Sequence, residues 1–575
     1  MRLRVGCLLD CPRAAAWVAK VLDDIRAAEF LELALVILAP AGIRQRPSLW
    51  QRIRGALYRL YQWADYKMFK AAKDALAPVD LGNLCAEVSC LRLTACADDP
   101  HDPWTQGDLQ AIAAAGLDVI LDFSALDVRG GIVRCAKHGI WSCHLGEARA
   151  FRGMPPLMWE MYQDIPMSET VLQCLVEGYA GARILHRRPC VACHFSLYLN
   201  RNASLWNSAT HVLQRLTDLH QHGWAHLARL DTFASCDQYS KRTNPTPNNW
   251  TTIKFVVRML SRYLAKRLDH WWRPGKWIIG LWARRSDAAL PFLGEALRFL
   301  LPPEDRFYAD PICISRGQKD YLFFEEYRYQ QRTCSISYAE IDELGNCTEP
   351  RTVLEADCDL SFPFLFEWQG EVYLMPATPE HQTIELYRAV EFPHRWTFDR
   401  VVMDNVRAVD STILSFGGRF WLFTSIESPS GAFGTELSLF YAETPLGPWT
   451  PHPQNPVVCD VRCARPAGGF FMLGDALIRP GQDGWRRYGQ AVALNKVETL
   501  TTTEYREKTI GHLGPPNPPG ILAAHTFSHN ARFNVVDLWV PVRKSWWRRG
   551  RPLKGDPAKW ASRWAGFLDL DKMGS

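Results

Sequence analysis

No run of apolar residues in this chain reaches the length of a bilayer span. Met1 to Leu9 carries charge but no apolar core of signal-peptide length. These two absences lead to the expectation of a chain that stays in the cytoplasm. Charge of one sign is also scarce: 66 Lys and Arg against 61 Asp and Glu leave a net charge of +5. That is too little to draw a polyanion by bulk attraction, so nucleic acid is not an expected partner. No glycine fingerprint follows the first apolar segment, Gly6-Cys7-Leu8-Leu9-Asp10-Cys11-Pro12, which argues against a dinucleotide site. Metal-ligand spacing is thin as well. The 17 cysteines are odd in number and scattered, and a single CxxC occurs, Cys190 to Cys193, followed by His194. Without a second pair no metal site is expected, and the thiols read as reduced rather than as a disulfide frame.

What is present suits a soluble protein of several domains. At 575 residues, 47% hydrophobic and 22% charged, the chain is too long for one core and has ordinary globular composition. The 23 Trp residues fall mostly after residue 240, where they suit β-rich packing and sugar stacking equally. Residues 1–195 alternate apolar strands (Leu3 to Leu9, Leu31 to Leu38, Leu117 to Phe123, Gly139 to His144) with helical spacing (Ala14 to Ile25, Leu49 to Lys73), a rhythm that predicts a parallel sheet with helices on both faces. Residues 196–275 read as a mixed helical linker region that includes a basic amphipathic helix, Ile253 to Trp272. A tail, 541–575, sets five cations around Trp546 and Trp547. It reads as a solvated cap, or as a peripheral contact with an anionic membrane face.

Between these lies a repeat. Phe307 to Glu325, Leu360 to Pro376 and Asp410 to Phe423 each run from a polar or Pro-marked start through an alternating strand and a Gly turn to an aromatic strand. The spacing of roughly 50 residues is that of one β-propeller blade, so residues 276–540 are expected to form an all-β propeller whose first strands converge on one pocket.

Gly139-Ile-Trp-Ser142-Cys-His144 and the following Arg152-Gly153-Met-Pro155 resemble the folate-dependent formyltransferases. The likeness implies an α/β Rossmann-like fold and a site in which an Asn and a His stabilise an oxyanion while an Asp holds the His. Only His144 matches that set. Ser142 stands at the Asn position, and Ala182 or Arg183 at the Asp position. The resemblance therefore implies formyl-tetrahydrofolate as cofactor only if this domain is active. Otherwise it is a retired domain kept for packing or recognition.

The repeat region resembles the five-bladed fold of family 43 glycoside hydrolases. It is more similar to the propeller at the N-terminus of plant glucosamine inositolphosphorylceramide transferases and their bacterial relatives. The matching pieces run in order: Trp277 to Gly280, Asp310-Pro311, Ser361 to Pro363, Asp410-Ser-Thr412, Leu446 to Trp449, Arg465-Pro466, Arg479-Pro480 and Tyr488-Gly489. By this resemblance Asp310 takes the place of the hydrolases' base, while their second Asp falls on Phe364. Two competent carboxylates are needed to cleave a glycosidic bond, so the Phe demotes hydrolysis. Asp410 is the second candidate carboxylate, and Glu325, Glu326, Glu427 and Glu436 are unranked candidate acids. Arg465 and Arg479 suit an anionic group, and Tyr488 and His525 complete the expected substrate contacts.

The leading expectation is a protein of cell-surface glycan biosynthesis, a glycosyl-group transferase using a nucleotide sugar or a lipid-linked sugar. The alternatives are an N-formyltransferase on an amino-sugar nucleotide, a glycan-binding scaffold, and a family-43-like hydrolase.

Overall fold

A computed structural model describes residues 2–40, 53–94, 104–284, 297–514 and 521–541, apart from positions within 125–129, 146–155, 166, 177–181, 192–194, 231–246, 273–274, 429–431 and 486. Cys193, His194, the Arg152–Pro155 segment and the tail lie outside the described residues. The chain divides after Leu264 into two units.

In the first unit, Leu3–Leu9 and Leu31–Leu38 are nearly continuous apolar runs, the pattern of strands covered on both faces. They pair in parallel as the third and second strands of a seven-stranded sheet. Cys90–Arg92 extends the sheet on one side, and Val119–Asp122 and Ile140–Leu145 extend it on the other, all parallel. Two further strands, Met167–Leu175 and Ala182–Val191, add antiparallel to that edge. The sheet is thus mixed, not wholly parallel. Its alternating edge pair carries polar positions that masked it beside the apolar central strands.

The helix Ala16–Ala27 covers one face and Gln106–Ala114 the other, each over its own apolar cluster. The 26-residue helix Leu197–His222 joins the first cluster through Ala209, Val212, Leu216 and Leu219. Ser196 caps its start by accepting a hydrogen bond from the Leu199 amide, and Gly223, at φ 74°, ends it. Of the stretch 196–275 expected to be a mixed helical linker, the helix Leu197–His222 packs into the core of the α/β unit.

The second unit is five four-stranded antiparallel sheets. Four are laid down in sequence, with inner strands at Arg306–Arg316, Ser361–Trp368, Ala408–Phe416 and Phe471–Leu473. The fifth mixes the two ends of the unit. Phe527–His529 and Phe533–Pro541 form its inner half, and Gly275–Ala283 and Arg298–Leu300 its outer half. Nine residue pairs along Gly275–Ala283 tie the beginning of the unit to its end, which closes the ring and removes two open edges. Tight hairpins such as Gly417-Gly418, both with positive φ, turn each inner strand into the next. Apolar faces stack between neighbouring blades; Phe323, Leu374 and Trp396 share one such layer.

Candidate functional site

Three inner strands break at the same place. In the first blade two residues, Asp310 and Pro311, lie opposite one, between the pairs Ala309–Glu325 and Ile312–Phe323. Phe362 and Pro363 do so in the second blade, and Asp410 and Ser411 in the third. The first residue of each bulge has positive φ: 50° at Asp310, 45° at Phe362 and 55° at Asp410. Non-glycine residues avoid this region, and a bulge is a device for re-aiming a side chain. Its recurrence fixes the correspondence between blades. The second-blade counterpart of Asp310 is therefore Phe362, two residues before Phe364, where the sequence reading put it. Phe362 is fully buried and apolar, so the position offers no proton chemistry.

Asp310, Asp410, Arg465 and His525, expected to meet, do meet. The Asp310 carboxylate accepts from Thr526 Oγ1 at 2.6 Å and lies 3.2 Å from His525 Nε2. The other ring nitrogen, Nδ1, is 2.7 Å from Asp537 Oδ2. Asp537 also takes the backbone amides of Asp310, His525 and Thr526, so one buried carboxylate pins the first blade to the closing one. Burial works against the imidazolium. Asp537 and Asp310 overcome it and hold the pKa of His525 up to about 9. Asp310, His525 and Asp537 form a tight donor group. With both ring nitrogens turned to carboxylates, the arrangement is an ion-paired triad.

Glu325 stands on the next strand, opposite Ala309. Burial, and then the charge of Asp310 beside it, push its carboxyl well above the usual range, which favours its neutral form. Cys334 Sγ donates to the Glu325 carboxylate at 3.1 Å. Of the four candidate acids, Glu326 is spent on Arg306, Arg328 and Ser337, and Glu427 pairs with Arg407. Glu325 is the one joined to Asp310.

Asp410 is held by the Arg465 guanidinium, from Nε and Nη2, and by Gln482 Nε2 at 3.1 Å. Burial lifts its carboxyl, and Arg465 opposes the lift. Arg465 also lies over the Tyr488 ring at 5.2 Å, and that ring is 5.3 Å from His525. Exposure falls from Tyr488 at 55% to the Arg465 side chain at 19%, Asp310 at 5% and Asp410 at 1%. Tyr488 and Arg465 are thus the mouth of the funnel, and the acids are its floor.

Arg479 does not join them. Its Nε and Nη2 close on Glu507 at 2.7 and 2.6 Å, and Nη2 also donates to the Cys463 carbonyl. The expected anion contact is replaced by a buried brace within the fourth blade.

Glu325 was visible in the sequence but unranked, whereas Asp537, Thr526 and Gln482 were missed. A signal existed for Asp537: it is the lone carboxylate in the apolar strand Val535-Val536-Asp537-Leu538-Trp539. A charge there must be paired.

In the α/β unit, His144 Nε2 faces Ser142 Oγ at 3.0 Å and the Gln173 amide nitrogen at 2.6 Å. An amide now stands beside the ring, and it cannot stabilise an imidazolium as an Asp would. Asp122, on the adjoining strand, is bound to Ser124.

Residues 301–514, the span of the first four blades, match the family model described as glucosamine inositolphosphorylceramide transferase 1, N-terminal. The protein of that name from Oryza sativa subsp. japonica is 33% identical over 257 residues, 40% of this chain and 34% of that protein. The one from Arabidopsis thaliana is 38% identical over 205 residues, 35% of this chain and 27% of that protein. Among solved structures, a family 117 glycoside hydrolase of Zobellia galactanivorans aligns with 49% of this chain and 97% of its own, at 12% identity and TM-score 0.31. Glycinamide ribonucleotide transformylase 1 from Symbiobacterium toebii aligns with 37% and 86%, at 15% identity and TM-score 0.25. The chain spans about a third of the length of the curated relatives it matches, and its similarity to them lies in the propeller.

Proposed function

We propose that this chain transfers glycosyl groups in the assembly of a cell-surface glycan or glycolipid, with the chemistry at the floor of the propeller funnel. The observation that carries the reading is the buried pair of acids, Asp310 and Glu325, beside the Asp410–Arg465 pair, with the Glu325 carboxyl pushed well above the usual range by burial and by the charge of Asp310. A carboxyl raised in this way beside a second acid can deliver a proton to a sugar oxygen or take one up from it. Arg465, fixed on one side by Asp410 and open at the mouth, suits the phosphate of a nucleotide sugar or a lipid-linked sugar. Tyr488 offers a ring face for stacking. The relatives' name specifies transfer to a phosphorylated sphingolipid, and an acceptor of that class fits the same cation. With Phe362 in place of a second-blade acid, transfer is favoured over hydrolysis of a neutral glycan. The α/β unit plays a supporting part, and the reaction takes no formyl-tetrahydrofolate. The cytoplasm, where nucleotide sugars are handled, is the proposed compartment.

The test is transfer of labelled sugar from a panel of nucleotide sugars to glycolipid and oligosaccharide acceptors. Glu325→Gln is expected to lower turnover by about 10²-fold or more, and His144→Ala to leave it unchanged. Undiminished turnover in Asp310→Asn would remove the proposed site.

A further inference from the structure

The α/β unit exposes apolar surface where a soluble domain would bury it. Five large apolar side chains on or just before the helix Ala56–Phe69 are exposed: Ile53, Leu57, Leu60, Trp63 and Met68, at 36 to 73%. Six more lie on the helix Asn249–Trp272 up to Leu264: Trp250, Ile253, Val257, Leu260, Tyr263 and Leu264, at 40 to 63%. Together they are 11 of the 24 exposed large apolar side chains among the described residues. Scattered apolar side chains need no explanation, but such a concentration on two helices does.

The two helices form one surface. The Leu57 amide donates to Asn249 Oδ1, and Asn249 Nδ2 donates to the Ile53 carbonyl, which joins their beginnings. Tyr61 meets Phe255 edge-on and hydrogen-bonds Met259 in the middle. Phe195 bridges Phe69 and Tyr263 near the ends. The helices therefore run side by side in the same direction. Tyr58, Phe255 and Met259 form the buried seam between them and the rest of the unit. The second helix spends Phe255 and Met259 on that seam. Trp250, Ile253, Val257, Leu260 and Leu264, spaced at i, i+3 and i+4, form a separate stripe turned to solvent.

Charge on these two helical segments is of one sign apart from a buried Asp65, although Asp164, from outside them, pairs with Arg262. Arg54, Arg59, Lys67 and Lys70 are exposed on or next to the first helix, and Lys254 and Arg258 on the second. The single acid in residues 53–70 is Asp65, which is buried against the Tyr198 amide, and residues 249–264 contain no acid. An apolar stripe edged by cations and carrying Trp is the composition of a helix lying in the headgroup–acyl boundary of an anionic bilayer. A second copy laid on this face would set cations against cations.

We infer that the paired helices Ala56–Phe69 and Asn249–Leu264 dock the protein on an anionic membrane surface, with Leu57, Leu60, Trp63, Ile253, Val257 and Leu260 entering the boundary. The proposed contact uses none of the residues of the propeller site, so it is measurable without any sugar substrate.

The experiment is co-sedimentation of the full chain with phosphatidylcholine vesicles containing about 30% phosphatidylglycerol, with pure phosphatidylcholine as the comparison. Binding to the anionic vesicles is expected. A Leu60→Glu, Leu260→Glu double variant should bind at least tenfold more weakly at an unchanged thermal midpoint, since both side chains are exposed. Leu344→Glu, at an exposed position of the propeller, should bind like the parent. Failure of the parent to bind overturns the inference, as does equal binding by the double variant. So does a parent that dimerises in solution and ignores vesicles while the double variant is monomeric, because that outcome gives the face to a second copy.

Discussion

His525 is expected to make the stability of the propeller fall with rising pH across a defined window. Its ordinary pKa is 6.5, and in the folded protein it is held up to about 9 by Asp537 and Asp310 against the effect of burial. At about 1.4 kcal/mol per unit, this difference corresponds to about 3 kcal/mol favouring the folded state when the ring is protonated. The folded value lies above the unfolded one. The contribution is therefore complete below pH 6.5 and lost as pH rises through 9. Because the ring is only 3% exposed, solvent screening takes little from the figure. The perturbation is His525→Gln, which keeps a polar side chain but no titrating charge. Urea unfolding of parent and variant at pH 6, 7.5 and 9.5, followed by tryptophan fluorescence, supplies the comparison; Trp277 lies 4.3 Å from the ring. The gap between them should be widest at pH 6 and close by about 3 kcal/mol at pH 9.5. Imidazole chemical shifts should titrate near 9. A midpoint near 6.5, or a gap independent of pH, would refute the triad as a charged arrangement.

Three further outcomes follow from the same cluster. Glu325 has its carboxyl pKa raised on folding, so its neutral form is favoured and its contribution is lost as pH rises; Glu325→Gln should gain stability relative to the parent between pH 5 and pH 8 in the same unfolding series. Arg465→Met leaves Asp410 buried with Gln482 as its remaining side-chain partner and should cost about 3 kcal/mol in calorimetry; part of this should be recovered in the Arg465→Met, Asp410→Asn double variant. Phe362→Ala opens a cavity where the second-blade bulge packs against Met375 and Leu422 and should cost about 3–5 kcal/mol; a loss under 1 kcal/mol would show that the bulge residue is not a packing element.

Much of the architecture could be read from residues 306–423, because blade construction is local. Each polar or Pro-marked start, Gly turn and aromatic second strand is a complete supersecondary unit in sequence, and it returned as one. Closure was less legible. Pairing of Gly275–Ala283 with Phe533–Pro541 joins segments some 250 residues apart, and nothing local in either strand names its partner. The same applies to the antiparallel edge Met167–Val191 and to the long helix Leu197–His222. Alternating polar positions and a mixed composition hid core elements whose apolar faces are defined by what packs on them.

The site was legible where backbone strain and residue type coincide. Asp310 and Asp410 open their blades in sequence, and the bulges that aim them are marked by the residue after each, Pro311 and Ser411. The slip from Phe362 to Phe364 came from counting after the Pro instead of from the bulge; two residues on a strand preserve the face, so periodicity could not expose the error. Arg479 shows a different limit. It has the same Arg-Pro signature as Arg465, but it lies on the second strand of its blade, paired with Asn495, and meets Glu507 there. Arg465 lies inside that strand at the axis and meets Asp410. Whether a guanidinium is available to a ligand is thus decided by which carboxylate the ring brings to it. That carboxylate comes from another blade for Arg465 and from the same blade for Arg479, and only the first arrangement leaves a cation at the funnel mouth.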